Sequence, residues 1–228
     1  MLGWIRSRRA SLRRRRVFEA IYANGDWGQG ANGERHSGRG SRDPLFVDGY
    51  VAAVGQFIRQ QSAIHHLVDL GCGDFNVGRH FLGMCSDYRA CDISSAIIEQ
   101  NRTTYPDAPV RFEQRDIVAR ELPRGDVALL RQVLQHLPNT DVATLVDRLH
   151  RERPYRYLIV TEHVPAGTDW PRNRDMPAGG VIRLSQGSGI DLQAEPFCLS
   201  CRQADILCEV TADEGGQPAV VRTTRYAL

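Results

Sequence analysis

The chain has 228 residues, 42% of them apolar, with 29 basic residues, all arginine, against 27 acidic ones and a formal net charge of +2. That length suits one domain with a short extension. No apolar run approaches the roughly eighteen residues that would mark a membrane span, and no apolar leader opens the chain, so a cytoplasmic location is expected. Seven arginines (Arg6, Arg8, Arg9, Arg13, Arg14, Arg15 and Arg16) fall in the first sixteen residues with no acid among them; setting them aside takes the net charge from +2 to −5 for residues 17–228. The basic excess is therefore local, and a nucleic-acid partner is not expected. Six cysteines show no framework spacing. Cys198-x-x-Cys201 lacks a second pair, so no metal site and reduced thiols are expected.

Residues 1–16 read as a basic tail carrying Leu2, Trp4, Ile5 and Leu12. It is either a solvated terminus or a segment resting peripherally on the anionic inner face of a membrane. Residues 17–43 read as a helix followed by a glycine-rich cap, with Trp27-Gly28 and Ser37-Gly38-Arg39-Gly40-Ser41 in its loop. The cap is either a lid over a ligand or a linker. Residues 44–228 then form the main domain. Asp43 suits a helix N-cap and Pro44 the first helical position, and Val47, Tyr50, Val51, Val54, Phe57 and Ile58 recur at helical spacing.

The centre of the pattern is His66-Leu67-Val68-Asp69-Leu70-Gly71-Cys72-Gly73-Asp74. It predicts a short buried strand and a glycine turn, then a helix from Asn76 or Val77 toward Cys85, together forming a cradle for a nucleotide-like ligand. Asp69, at the strand end, suits a cationic ligand group such as an ammonium. Tyr88–Asp92 reads as a second strand ending in an acid, where nucleotide folds place the carboxylate that holds ribose hydroxyls; capping of the next helix is the competing role for Asp92. Val110–Gln114 and Asp126–Arg131 are further strands. A helix with Val142, Leu145, Val146 and Leu149 inward follows, capped by Asn139 or Thr140. Arg156–His163 is a fifth strand. Residues 164–200 read as an irregular substrate-side insertion, and Ala204–Thr211 with Pro218–Tyr226 as a hairpin around Asp213-Glu214-Gly215-Gly216.

Asp69, Gly71 and Gly73 resemble motif I of the class I S-adenosylmethionine-dependent methyltransferases, with Phe75 where a third glycine would stand. The nicotinamide-dinucleotide fingerprint fails at Asn76. The resemblance implies a Rossmann-like α/β fold: seven strands, mostly parallel, helices on both faces and an antiparallel C-terminal hairpin. It implies S-adenosylmethionine as cofactor, held by Asp69, Gly71, Cys72 and Gly73, by Asp92 on the ribose with Ile93 on the adenine face, and by Asp116 and Ile117 at the adenine. Arg131 and Gln132 would border methyl donor and substrate, and Ser37, Gly38 and Ser41 would touch the methionine end.

Methyl transfer to a hydroxyl benefits from a base. His163 and His136 are the two candidates, with Glu162 beside the former; His65, His66 and His80 read as structural. Arg172, Arg174 and Arg183 either bind an acceptor carboxylate or phosphate or form a solvated surface. An O-methyltransferase acting on a small molecule or saccharide is expected. A nicotinamide-dependent oxidoreductase and a non-catalytic S-adenosylmethionine-binding module are the alternatives. The sequence leaves the oligomeric state open.

Overall fold

A computed structural model describes residues 2–228, with side chains for residues 8–213 and 215–228. The elements run α1 (Leu2–Asn24), α2 (Pro44–Gln60), β1 (His66–Leu70), β2 (Asp87–Asp92), α3 (Ser95–Thr104), β3 (Arg111–Gln114), β4 (Val127–Arg131), α4 (Asn139–Glu152), β5 (Tyr157–Pro165), β6 (Gln203–Glu214) and β7 (Gln217–Ala227). The strands form one seven-stranded sheet in the order β3-β2-β1-β4-β5-β7-β6. The first five pair in parallel, and β7 pairs antiparallel with both β5 and β6.

Alternation along each strand divides the core between the two faces of the sheet. Val68, Leu70, Ala128, Leu130, Leu158 and Val160 pack toward α4 and toward Phe18 and Ile21 of α1. Leu67, Val127, Leu129 and Ile159 pack the other way, toward Val47, Tyr50, Val54 and Phe57 of α2 and Ile97 and Ile98 of α3. The strand order reverses beside β1, with β2 and β4 on its two sides, so the crevice beyond the carboxyl ends of β1 and β4 is the natural ligand position.

Three local expectations change. No α-helix follows the glycine turn: a single 3-10 turn, Gly78–Phe81, fills the space before β2. Phe75 explains this. It takes φ 57°, is fully buried, and its ring meets Tyr88, Tyr105 and Phe112 edge to face. A side chain at Gly78 would lie 2.5 Å from that ring. The aromatic anchor takes the path a regular helix would need. At α4, neither Asn139 nor Thr140 is the N-cap; the cap is Pro138, and Asp175 from the insertion accepts the Asn139 N–H at 2.7 Å. Thirdly, α1 runs unbroken across residues 16 and 17, where a boundary between tail and cap was expected.

Leu2, Trp4, Ile5 and Arg6 lie outside the described side chains. Of the rest of that segment, Arg9, Leu12, Arg13 and Arg16 are exposed, whereas Arg14 is buried against the domain. No helix among the described residues is long and apolar enough to cross a membrane. Asp43 is the α2 N-cap, accepting from Leu45 N–H at 3.0 Å with Pro44 at the first helical position.

Candidate active site

A cleft of about 630 Å³ lies at the carboxyl ends of β1, β2 and β4, roofed by α1 and residues 37–41. Every residue expected to hold the cofactor or act as base lines it: Asp69, Gly71, Cys72, Gly73, Asp92, Ile93, Asp116, Ile117, Arg131, Gln132, Ser41, His136 and His163.

The glycine turn leaves β1 with Gly71 at φ 88° and Gly73 at φ 52°, backbone angles that disfavour a side chain. Both also meet protein closely. A side chain at Gly71 would strike Val133 at 2.5 Å, and one at Gly73 would strike the Ser37 hydroxyl at 2.1 Å. Ser37 bridges cap and turn: its Oγ accepts the Asp74 N–H at 2.7 Å and its own N–H donates to Asp74 Oδ2 at 3.2 Å. Arg42 donates to the same carboxylate, Asn76 Nδ2 donates to the Ser41 carbonyl at 2.6 Å, and the Ser41 hydroxyl donates to the Ser37 carbonyl. The glycine-rich segment is thus tied onto the turn as a roof.

Asp69 and Asp92 face the cleft as buried carboxylates. Burial pushes Asp69 up to about 7, partly offset by the Tyr88 hydroxyl that donates to it. Burial raises Asp92 to about 6, although the N–H groups of Ser94 and Gly73 donate to its two oxygens at 2.9 and 3.1 Å. Ser94 caps α3, so Asp92 is not the helix cap. Each of its oxygens keeps a lone pair for a ligand hydroxyl. Cys72 is a half-buried thiol whose pKa is raised by desolvation and by the nearby Asp92 and Asp69, which favours the neutral form.

Asp116 is more heavily engaged than its sequence position suggests. Its Oδ1 accepts from Val118 and Ala119 N–H, and its Oδ2 accepts from Arg14 of α1 at 3.0 Å. Arg14 also pairs with Asp141. The carboxylate expected at the adenine amino group therefore also anchors the helix that roofs the pocket.

Arg131 ends β4, stacks 4.9 Å over the Tyr50 ring and donates to the Gly40 and Phe46 carbonyls. Gln132 follows at φ 54°, its side chain against Gly40. Among the described residues, the buried Arg131 Nε and Gln132 Nε2 have no hydrogen-bond partner. Orphaned donors, two buried carboxylates, the apolar Ile93 and Ile117 and bare glycine backbone fit a ligand that offers acceptors, hydroxyls, an ammonium and a flat ring. S-adenosylmethionine carries all of these groups.

Around the two histidines, one hydrogen bond sets all the others. The His163 N–H donates to the Gln135 side chain at 3.1 Å, so the atom it meets must be the amide oxygen. The His163 Nδ1, 3.0 Å from that same oxygen, is therefore the protonated ring nitrogen. The other end of Gln135, its NH2, meets His136 Nε2 at 3.4 Å, and His136 Nδ1 meets the Gly179 carbonyl at 3.0 Å. Both His136 nitrogens are thus committed, and burial pushes this imidazole down to about 4, so it is neutral at pH 7.

Glu162 faces away from His163, as alternation along β5 requires. Its carboxylate accepts the N–H groups of Val133, Leu134 and Gln135, and burial raises it to about 8. Of the three insertion arginines, Arg183 is fully buried and donates to the carbonyls of Leu134, Leu137 and Arg174. Arg172 pairs with Asp191, and Arg174 donates to the Gln186 carbonyl. Arg183 is accordingly neither an acceptor-binding group nor part of a solvated surface; it braces the turn after β4. Arg14, Tyr22, Trp27 and Gln135 are site residues that sequence reasoning missed. Trp27 packs on the His136 ring at 5.1 Å and on Tyr22 at 5.2 Å; its one sequence signal was a bulky aromatic inside a polar loop.

The sheet order and the site together define a Rossmann-like fold with a cleft suited to a nucleotide cofactor. Residues 68–151 match the family model described as a methyltransferase domain. A curated relative, the uncharacterized methyltransferase Rv0089 of Mycobacterium tuberculosis, is 28% identical over 79 residues, covering 34% of this chain and 40% of the relative. The chain thus spans well under half the length of the curated relatives it matches. Among solved structures, the N-terminal domain of EvdMO1 with S-adenosylhomocysteine bound superposes with a TM-score of 0.59 at 13% identity, covering 97% of each chain. The N-methyltransferase NodS from Bradyrhizobium japonicum WM9, also bound to S-adenosylhomocysteine, gives 0.58 at 11% identity over 83% of this chain and 91% of NodS. The magnesium protoporphyrin IX methyltransferase ChlM from Synechocystis PCC 6803, with S-adenosylmethionine bound, gives 0.55 at 12% identity over 93% and 97%. The chain thus has the fold of these proteins, and its residues 68–151 are similar to a methyltransferase domain.

Proposed function

We propose that the protein transfers a methyl group from S-adenosylmethionine to a hydroxyl of a small molecule or saccharide, with His163 as the base. The same fold serves an N-methyltransferase in NodS, so the choice of acceptor atom rests on the cleft and not on the architecture. The observation that carries it is the difference between the two histidines. His136 Nε2 faces the Gln135 amide and its Nδ1 the Gly179 carbonyl, whereas the Gln135 oxygen holds the proton of His163, which lines the cleft near the carboxyl end of β5, on Nδ1 and so makes Nε2 its basic nitrogen.

When bound, S-adenosylmethionine supplies an electrophilic methyl on a sulfonium. The protein's own part is alignment and proton removal. Asp69 would pair with the ammonium, Asp92 with the ribose hydroxyls, and Arg131 and Gln132 would border the methyl end. His163 would take the proton that the acceptor hydroxyl gives up on methylation. The roof formed by α1, Trp27 and residues 37–41 restricts water.

Calorimetric titration with S-adenosylmethionine and S-adenosylhomocysteine, followed by a labelled-methyl screen of hydroxylated small molecules and saccharides, tests this. Micromolar binding of both is expected, with transfer to a hydroxyl that His163→Gln abolishes at least a hundredfold while leaving cofactor affinity within about threefold. Binding without turnover on any acceptor would favour a binding module. Tight binding of a nicotinamide dinucleotide, with none of S-adenosylmethionine, would favour an oxidoreductase.

A further inference from the structure

We infer that Gln135 is a positioning residue that locks His163 in the Nδ1–H tautomer and so makes Nε2 its basic nitrogen. It deepens the assignment of His163 as base and rests on it, but its test does not require an acceptor. Neutral histidine in water favours the opposite tautomer, with the proton on Nε2. In that form Nε2 is a donor and cannot take a proton from a substrate hydroxyl.

The lock has a built-in direction. An amide side chain is nearly symmetric in shape, and a histidine alone could be satisfied by either end of it. The backbone N–H of His163 breaks the ambiguity, because it can only donate. It fixes the Gln135 oxygen at 3.1 Å, and that oxygen then demands a proton on His163 Nδ1 at 3.0 Å. The remaining amide NH2 demands a lone pair on His136 Nε2, which leaves the His136 proton on Nδ1 against the Gly179 carbonyl. Both ends of Gln135 are committed, so the amide cannot flip without leaving a buried donor facing a donor.

Gln135 itself is held in place. It is 3% exposed, its backbone N–H donates to Glu162 at 3.1 Å, and Arg183 grips the preceding carbonyl of Leu134 at 2.8 Å. His136 therefore serves as the far end of the lock, and Gly179 of the insertion as its stop. The two histidines differ in task although both carry the Nδ1 proton.

Ring-nitrogen NMR of the full-length, uniformly 15N-labelled protein at neutral pH reads the tautomers directly, with His163→Gln and His136→Gln used to assign the two rings among seven histidines. In the unmodified protein, His163 and His136 should both show a pyrrole-type Nδ1 and a pyridine-type Nε2. Gln135→Leu should return His163 to a predominantly Nε2–H ring. Gln135→Glu, which keeps an acceptor oxygen at the same reach, should retain Nδ1–H, and backbone amide spectra of both variants show whether the fold is kept. An Nε2–H ring on His163 in the unmodified protein, or a tautomer unchanged in a folded Gln135→Leu, would overturn the assignment. Turnover retained in a folded His163→Gln, with the tautomers of the unmodified protein as expected, would instead count against His163 as the base. Once an acceptor is known, Gln135→Leu should lower kcat at least tenfold with KM nearly unchanged, and Gln135→Glu should recover part of that loss.

Discussion

Asp69 carries the most exposed consequence of burial for a single side chain. With its carboxyl lifted to about 7, the free protein is divided near neutrality between a neutral and an ionised form, and only the ionised form pairs with an ammonium. Binding should therefore pull a proton off. Affinity for S-adenosylmethionine should fall by up to about tenfold per pH unit below pH 7, and binding at pH 6.5 should release about three-quarters of a proton. Calorimetry in two buffers of different ionisation enthalpy measures this; 5′-methylthioadenosine, which lacks the ammonium, should release far less. Asp69, Gly71, Gly73 and Asp92 were legible in the sequence because each is fixed by local chemistry: an acid or a glycine at a strand end. Gln135 was not. Its importance comes from the backbone of a residue 28 positions later, and no local pattern encodes that partner. Arg183 was misleading for the same reason, since a lone arginine in a polar loop reads as surface until its carbonyl partners are seen.

α1 changes most between sequence and structure. A run of arginines without acids reads as a tail, and its exposed members fit that description. Arg14, however, has turned inward to Asp116 and Asp141, and Phe18 and Tyr22 continue the same face into the cleft. Helical spacing places these three residues on one side of the helix. The signal existed, but the charge composition hid it. Arg14→Ala leaves the buried Asp116 without its cation and should cost about 3 kcal/mol. Hydrogen exchange across residues 8–24 should accelerate markedly, with little change in β1 or β4; α1 exchange equal to that of the unmodified protein would disprove the anchoring role. Arg14→Lys should rescue only partly, because a single ammonium does not match the two-nitrogen contact with Asp116. The short 3-10 turn after the glycine loop is the other element that was not legible. The strand–turn pattern was read correctly, but Phe75 in a left-handed conformation displaced the expected helix, a tertiary effect invisible to spacing.

At the scale of the molecule, the mostly parallel sheet and the terminal hairpin were readable, because the strands are short apolar runs bounded by turn residues. The buried ionisable groups add a global pH dependence. Asp69 and Glu162 are raised to about 7 and 8, so between the unfolded carboxylate range near 4 and those values the folded chain holds more protons than the unfolded one, and stability falls as pH rises. His136, lowered to about 4, acts oppositely, but only up to about pH 6.5, where the unfolded imidazole has lost its proton. From pH 6.5 to 8.5 the carboxylates prevail, and the melting temperature should decline across that window. Saturating S-adenosylhomocysteine should flatten the decline by pairing Asp69; a rising melting temperature over the same range would contradict these assignments.

The two anchors of Arg14 lie 102 and 127 residues further along the chain. During synthesis at roughly 5–20 residues per second, α1 is made on the order of ten seconds before Asp116 and Asp141 are both in place. Throughout that interval Arg14 lacks both of its native carboxylates. The helix that closes the cofactor pocket is therefore made well before the groups that anchor it, which makes the nascent chain's interval before α4 emerges the period most open to chaperone capture.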